Sequence, residues 1–376
     1  MPDPRPLRLS RQDAGSVASG FATASKATPE LAAQAVRAAL ARIDAPLAGS
    51  VLLFLTSHFN RNTQAAVSAA ARAARCLQVA GCTAPGVLTE CEWSFEAPAA
   101  AALVLCGDIG LVRPTGDDPV LTLAPPASNH PRWLDDRRPR FGMLTTQADS
   151  DGPGRSWLNG KVCTADCCEI SFSHSRTAVG VSRGIRALTP VMLVSEADGH
   201  EIFALDDQPA LATLQRELSA DRQSLSSLPV AHLFAACTNP GLGAEEAIAR
   251  GNFRLLPILG ASQDEQSLTL AQPLPVGSCL FWALRQPMAA VQDTDDALAA
   301  LAARLPTPDF SLMFACIGRG PYFFGSEDLD LARIGERFPG LPVLGAYGAG
   351  EIAPLADGNA LIGYSSVTAL VGHVQS

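Results

Sequence analysis

Apolar positions along the chain follow two rhythms. Between Leu31 and Ile43 they recur at helical spacing, with Leu31, Ala35, Ala38, Ala39 and Ile43 on one stripe. Thr28 stands where a cap belongs, Pro29 suits a first turn and Glu30 favours its positive end, so a helix is predicted from here. Val51-Leu-Leu-Phe-Leu-Thr-Ser57 is instead a continuous apolar run, the pattern of a strand buried on both faces. An Ala- and Arg-rich helix over about 63–75 follows, then a second strand at 77–80. Strand, helix and strand in succession favour parallel pairing. Residues 87–95 and 101–106 read as further strands.

The chain changes character from Arg113 to Pro139. Prolines at 114, 119, 125, 126, 131 and 139, with the cluster Asp135-Asp-Arg-Arg138, predict a long irregular loop. Beyond it, 167–172 and 178–181 read as strands. Residues 191–196 and 201–204 form a predicted hairpin around Asp198-Gly199, a strong turn signal. A helix over 209–218 and a second hairpin, 255–260 with 268–270, complete this stretch.

The pattern also repeats. A strand ending in Phe54-Leu-Thr-Ser57, a helix, and Leu77-Gln-Val-Ala-Gly-Cys-Thr-Ala-Pro-Gly-Val-Leu88 come first. Near the end stand Leu312-Met-Phe-Ala-Cys316, a helix at 329–338, and Leu341-Pro-Val-Leu-Gly-Ala-Tyr-Gly-Ala-Gly-Glu-Ile352. Both copies run a strand into Gly-x-x-x-x-Gly, Gly81 to Gly86 and Gly345 to Gly350. Repeats this far apart suggest duplication, not a solenoid. The predicted fold class is α/β (mixed α+β), with two related domains from an internal duplication and mixed sheets flanked by helices. The expected division is a tail at 1–27 and domains at 28–206 and 207–372.

Composition bounds the function classes. The 376 residues are 47% hydrophobic and 17% charged, enough apolar material for real cores, which excludes disorder, collagen-like and coiled-coil readings. A net charge of −9 argues against a nucleic-acid partner. The Arg excess, 26 against two lysines, reflects a GC-rich coding bias. The longest uncharged apolar run, Ala97 to Cys106, is far short of the roughly 20 residues of a membrane span, and residues 1–26 hold no signal-peptide core. Ten cysteines, mostly within apolar runs, fit a reduced cytoplasmic protein.

Candidate chemistry sits at the C-terminal strand ends, where side chains of α/β sheets face a crevice. One end carries Cys316-Ile-Gly-Arg-Gly320 and the other Gly345-Ala-Tyr-Gly-Ala-Gly-Glu351. Arg319 offers a planar fork for a carboxylate or phosphate. Glu351 offers the opposite charge and Tyr347 an amphipathic ring, so the set suits a zwitterion such as an amino acid. Alternatively, Arg319 and Glu351 pair with each other and hold two loops together. Gly345, Gly350, Gly81 and Gly86 let backbone approach a ligand, or only permit tight turns. Their spacing lacks the Lys-Ser/Thr of a phosphate-binding loop.

Phe314-Ala-Cys-Ile-Gly-Arg-Gly320, followed by Pro342-Val-Leu-Gly-Ala-Tyr-Gly-Ala-Gly-Glu-Ile-Ala-Pro354, resembles the C-terminal signature of the FIST family, whose members pair a FIST N and a FIST C domain. Gly180-Val-Ser-Arg-Gly184, Leu205-Asp-Asp-Gln-Pro-Ala-Leu211 and Leu274-Pro-Val-Gly277 extend the resemblance, and Gly81-Cys-Thr-Ala-Pro-Gly86 is a looser N-terminal match. Ile362-Gly-Tyr-Ser365 departs from it, since members often carry a histidine and a threonine there. The resemblance implies an intracellular, non-enzymatic sensory protein that binds a small ligand, amino acids among them, and signals through a separate partner such as a histidine kinase. On this reading Cys316, Arg319, Gly345, Tyr347, Gly350 and Glu351, with Gly81, Cys82 and Gly86, are the ligand-binding candidates. Arg319→Ala is then expected to abolish binding and spare the fold.

Two alternatives accompany this reading. Some FIST proteins bind haem and report nitric oxide to a kinase. Haem needs an axial ligand, and among His58, His130, His174, His200, His232 and His373 the candidates are His58, after a strand, and His174, between strands. A cysteine-dependent enzyme would use Cys316 or Cys82 as nucleophile, although no histidine lies close in sequence to serve as base. Cys163, Cys167, Cys168 and His174 match no common zinc spacing, so no metal is expected.

Overall fold

A computed structural model describes residues 16–126, 132–145, 152–163, 167–220 and 232–374. His130 and most of the expected tail lie outside them. Two six-stranded mixed sheets form the centre. In sheet I the order is Val17–Thr23, Ala99–Leu105, Ser50–Thr56, Val79–Ala84, Ser156–Leu158 and Lys161–Val162. In sheet II it is Ser175–Ser182, Ser366–His373, Phe310–Cys316, Val343–Gly348, Gly86–Thr89 and Trp93–Ser94. The senses along both sheets agree: two antiparallel steps, the parallel pair, then two antiparallel steps. Each parallel pair is one of the strand-helix-strand units expected from the sequence.

The apolar runs of these strands are buried on both faces because each sheet is covered on both. Leu52, Phe54, Cys82 and Leu103 of sheet I meet Phe310, Leu312, Phe314 and Val367 of sheet II in one core. Phe54 and Phe314 touch edge to face at 5.8 Å between centroids. On the outer face of sheet I lie helices Pro29–Arg42 and Thr63–Ala74, through Leu31, Ala35, Val36, Ala66 and Val67. Helices Pro287–Arg304 and Leu329–Arg337 cover sheet II through Leu298, Leu301, Leu331 and Ile334. Each such side chain, taken fully out of water, contributes roughly 1.5–3 kcal/mol before entropy is counted.

Sheet III joins Gly358–Ile362, Glu351–Leu355, Arg140–Leu144, Val120–Ala124, Cys168–Phe172 and Leu111–Val112. The fourth sheet closes on itself. Met192–Asp198, Glu201–Leu205, Ser267–Leu270, Phe253–Ser262, Leu233–Thr238 and Cys279–Arg285 pair in that order, and the last pairs back to the first. This small barrel is filled by Val194, Leu205, Leu256, Leu280 and Trp282, whose indole N–H donates to Thr213 of helix Ala210–Ala220 at 2.8 Å.

Three expectations change. Residues 17–23, placed in a tail, form the edge strand of sheet I. Gly20 lets that strand lie against the first helix, since a Cβ there would meet the Ala35 carbonyl at 2.2 Å. The proline-rich stretch expected as a loop contains Val120–Ala124, an interior strand of sheet III. Sheet pairing also does not divide at 206/207, because Ser175–Ser182 and the hairpin 192–205 belong to sheets built from C-terminal strands.

Candidate functional site

Arg319 does not face a crevice. After strand Phe310–Cys316 a single tight turn, Ile317–Arg319, swings its side chain inward, where it is 1% exposed. Nε donates to Asp330 Oδ2 at 2.8 Å and Nη2 to Asp330 Oδ1 at 3.1 Å. The remaining donors reach the Ser182 carbonyl and hydroxyl, the Ala290 carbonyl and the Thr294 hydroxyl, at 2.6–3.2 Å. A guanidinium so occupied has little left for a ligand. Tyr347 is equally committed: its buried hydroxyl donates to Asp328, the cap of helix Leu329–Arg337, and Phe95 stacks on its ring at 4.2 Å. Burial and the neighbouring Asp330 raise the Asp328 carboxyl to about 6, against the pull of the phenol, the Leu331 N–H and Arg319.

Glu351 is not the ion-pair partner of Arg319, which pairs with Asp330. It is 0% exposed in strand Glu351–Leu355. Oε2 accepts from the Ser365 hydroxyl at 2.6 Å, and Oε1 has no hydrogen-bond partner among the described residues. Burial raises this carboxyl to about 8, against the pull of Ser365, Arg319 and Arg183. Cys316 lies beside it, and burial together with Glu351 pushes its thiol up to about 11. Arg285, from the barrel, completes the group. Its Nη2 donates to the Gly318 carbonyl at 2.6 Å, and its guanidinium lies 4.5 Å from the rings of both Phe323 and Tyr364. Thus the Arg, Tyr and Glu expected in one crevice are held in separate buried networks.

The glycines serve packing. At Gly81 a Cβ would stand 1.7 Å from the Leu53 carbonyl, and at Gly345 2.3 Å from that of Met313, the equivalent contact across the two parallel pairs. Gly86 lies under Phe95, and Gly350 beside Ile362. Cys82 is fully buried, and its thiol is raised well above its ordinary value. His58 is half-buried with Nδ1 3.1 Å from the Thr56 hydroxyl, and His174 sits exposed in a left-handed turn. Neither lines the cleft described next.

The sequence candidates omit Arg183. Asp293 of helix Pro287–Arg304 clamps its segment, accepting from the Ser182 hydroxyl and from the N–H groups of Arg183 and Gly184. Gly184 has φ +59°, and a Cβ there would meet Ala290 at 2.6 Å and Arg319 at 2.8 Å. Ser182 thereby holds Arg319 while Arg183 turns the other way, over the ring of Phe253 at 4.1 Å. Arg183 is 6% exposed. The only hydrogen bonds of its guanidinium among the described residues are long ones to the carbonyls of Gly251 (3.5 Å) and Phe253 (3.3 Å), and Nε has no partner there. Burial lowers the guanidinium to about 10. Arg183 lines a cleft of about 710 Å³ between the barrel, helix Pro287–Arg304 and the turn 354–356, with Glu245, Asp293 and Asp296 in the same lining. A buried, under-bonded cation beside carboxylates in a cleft is what a small anionic or zwitterionic ligand would engage. The signal for Arg183 was in the sequence, within Gly180-Val-Ser-Arg-Gly184, but a charge one residue from a strand end does not declare which way it turns.

Residues 210–354 match the family model of the FIST C domain. The chain carries a FIST C domain. This domain begins with helix Ala210–Ala220, takes in most of the barrel and the second parallel pair, and includes Arg285, Cys316, Arg319, Tyr347 and Glu351. Arg183 lies before it, so the cleft is shared between the FIST C domain and the preceding segment. The chain is 30% identical over 226 residues to the uncharacterized protein Rv0628c of Mycobacterium tuberculosis, covering 58% of this chain and 57% of that protein. It is 31% identical over 226 residues to the uncharacterized protein Mb0898c of Mycobacterium bovis, covering 58% and 56%. The chain thus spans little more than half the length of these relatives. No helix among the described residues is long and apolar enough to cross a membrane.

Proposed function

We propose that this FIST C protein is a sensory module that binds a small carboxylate-bearing ligand, an amino acid among the candidates, in the cleft over Arg183. It passes the signal to a separate partner such as a histidine kinase. One observation carries the reading: Arg183 is buried, stacked on Phe253 and under-bonded, in a cleft of about 710 Å³ that also holds Glu245, Asp293 and Asp296. A buried charge without full pairing is costly, so a ligand that completes its bonds gains more than it would at an exposed arginine. Binding fits better than catalysis, because the thiols of Cys316 and Cys82 are pushed up by burial, away from the nucleophilic thiolate. The test is to identify small molecules released from the purified protein by denaturation, and to titrate them calorimetrically into the wild type and Arg183→Met. Loss of binding in the variant supports the site. Equal affinity in both places the ligand elsewhere and overturns the reading.

A further inference from the structure

Three thiols meet between sheets I and III, away from the Arg183 cleft. Ser156 stands opposite Cys82 in sheet I, and on its other side the N–H of Cys163 donates to the Ser156 carbonyl at 2.8 Å. Cys82, Ser156 and Cys163 therefore form one row across three strands and face the same core. With strands about 4.8 Å apart, the two cysteines flank a small serine at a separation of about 10 Å. Cys168, first residue of strand Cys168–Phe172, comes down on this row from the facing sheet, its thiol donating to the carbonyl of Trp157, next to Ser156, at 3.2 Å. Cys82 and Cys168 are fully buried, whereas Cys163 is half-buried and reaches solvent. Burial raises all three thiols; Cys163 further raises Cys168, and Cys168 further raises Cys82.

We propose that Cys163 and Cys168 are a redox-active dithiol that closes to a disulfide on exposure to a peroxide. The Cys163 thiolate attacks one peroxide oxygen. The O–O bond breaks, Cys163 becomes a sulfenic acid, and the departing hydroxide leaves as water with the thiol proton. The Cys168 sulfur then attacks the Cys163 sulfur, the S–O bond breaks, and a second water carries away the Cys168 proton. Two electrons pass from the two thiols to the peroxide, and a dithiol reductant reverses the change. Cys163 is the point of attack because, of the three, it is the one that solvent reaches and the one whose thiol burial raises least, with the Ser156 side chain pulling it down, and Cys168 resolves it from the facing sheet. The bond ties sheet III to sheet I.

The experiment treats the full chain with hydrogen peroxide, removes the peroxide, alkylates all free thiols in denaturant at mildly acidic pH where thiols do not reshuffle, and counts alkylated thiols by intact mass before and after dithiothreitol. Two thiols are expected to resist alkylation until reduction, in the wild type, Cys82→Ser and Cys167→Ser. Cys163→Ser and Cys168→Ser are expected to lose this protected pair. An unchanged thiol count in peroxide-treated wild type overturns the proposal. So does a protected pair that survives Cys168→Ser or disappears in Cys82→Ser.

Discussion

Arg319 and Asp330 form a two-point salt bridge with each side chain only 1% exposed, Nε to Oδ2 at 2.8 Å and Nη2 to Oδ1 at 3.1 Å. The pair joins the turn after Cys316 to helix Leu329–Arg337, and through Ser182, Ala290 and Thr294 to sheet II and helix Pro287–Arg304. Breaking a buried pair leaves an uncompensated charge, so Arg319→Ala is expected to cost about 3–5 kcal/mol of stability. Arg319→Met combined with Asp330→Leu should recover most of that loss. Denaturant unfolding of the three proteins checks this, and an Arg319→Ala protein of wild-type stability would contradict it. This outcome differs from the expectation from sequence, that Arg319→Ala removes a ligand and spares the fold, and the same unfolding experiment distinguishes the two.

Tyr347 and Asp328 form a second buried link of the same kind. Removing the hydroxyl in Tyr347→Phe leaves Asp328 with the Leu331 N–H as its remaining hydrogen-bond donor. The expected loss is about 1–3 kcal/mol, the cost of an unsatisfied buried acceptor. Because the phenol holds the Asp328 carboxyl down against burial, its removal should also raise that group further above about 6. Thermal melting at several pH values measures both effects.

Much of the fold is legible because it is written locally. The stripe from Leu31 to Ile43 and the run Val51–Leu55 give their elements without reference to anything distant. Val17–Thr23 escapes because its Ala, Ser and Gly content answers the close approach of a helix, and small residues carry no strand signature. Val120–Ala124 escapes because Pro119 and Pro125 bracket it and read as punctuation. For the site, residue types were readable and partners were not. Arg319 has Glu351 as an attractive sequence partner, yet Asp330 reaches it, because only the folded path of helix Leu329–Arg337 decides which carboxylate arrives.

Glycine substitutions separate packing from ligand contact. At Gly81, φ is +155° and a Cβ would overlap the Leu53 carbonyl in the middle of sheet I. Gly81→Ala should therefore abolish cooperative folding. Gly199→Ala is the control: φ is +55° with nothing within 4 Å, so only left-handed strain of about 1–2 kcal/mol is expected. Soluble yield and melting profiles of the two variants decide, and a stable Gly81→Ala protein would count against a packing role.

Glu351 sets a direction for stability against pH. Its carboxyl is raised from 4.5 to about 8 in the folded chain, so between these values the unfolded state binds fewer protons and stability falls as pH rises. The favourable contribution is complete below about 4.5 and is lost as pH climbs through about 8. Asp328 acts in the same sense but only up to about 6, which leaves the upper part of the window to Glu351. Unfolding midpoints of wild type and Glu351→Gln, compared from about pH 6 to about pH 8, should show a decline in the first that is flattened in the second. Parallel curves would exclude Glu351 as the source.

Arg183 provides the counterpart to Arg319. Both are buried arginines on opposite sides of Ser182, but the Arg319 guanidinium is bonded to a carboxylate, whereas that of Arg183 makes, among the described residues, only two long bonds to carbonyls. A poorly paired buried charge stabilises little, and replacing it with an apolar side chain of similar volume is often neutral or favourable. Arg183→Met is therefore expected to leave unliganded stability within about 1 kcal/mol of wild type or to raise it, whereas Arg319→Met alone should lower it by about 3–5 kcal/mol. The difference argues that Arg183 is kept for what it binds and Arg319 for what it holds. Denaturant unfolding of both single variants, after removal of any co-purified small molecule, makes the comparison. A loss in Arg183→Met as large as that in Arg319→Met would assign Arg183 to the framework.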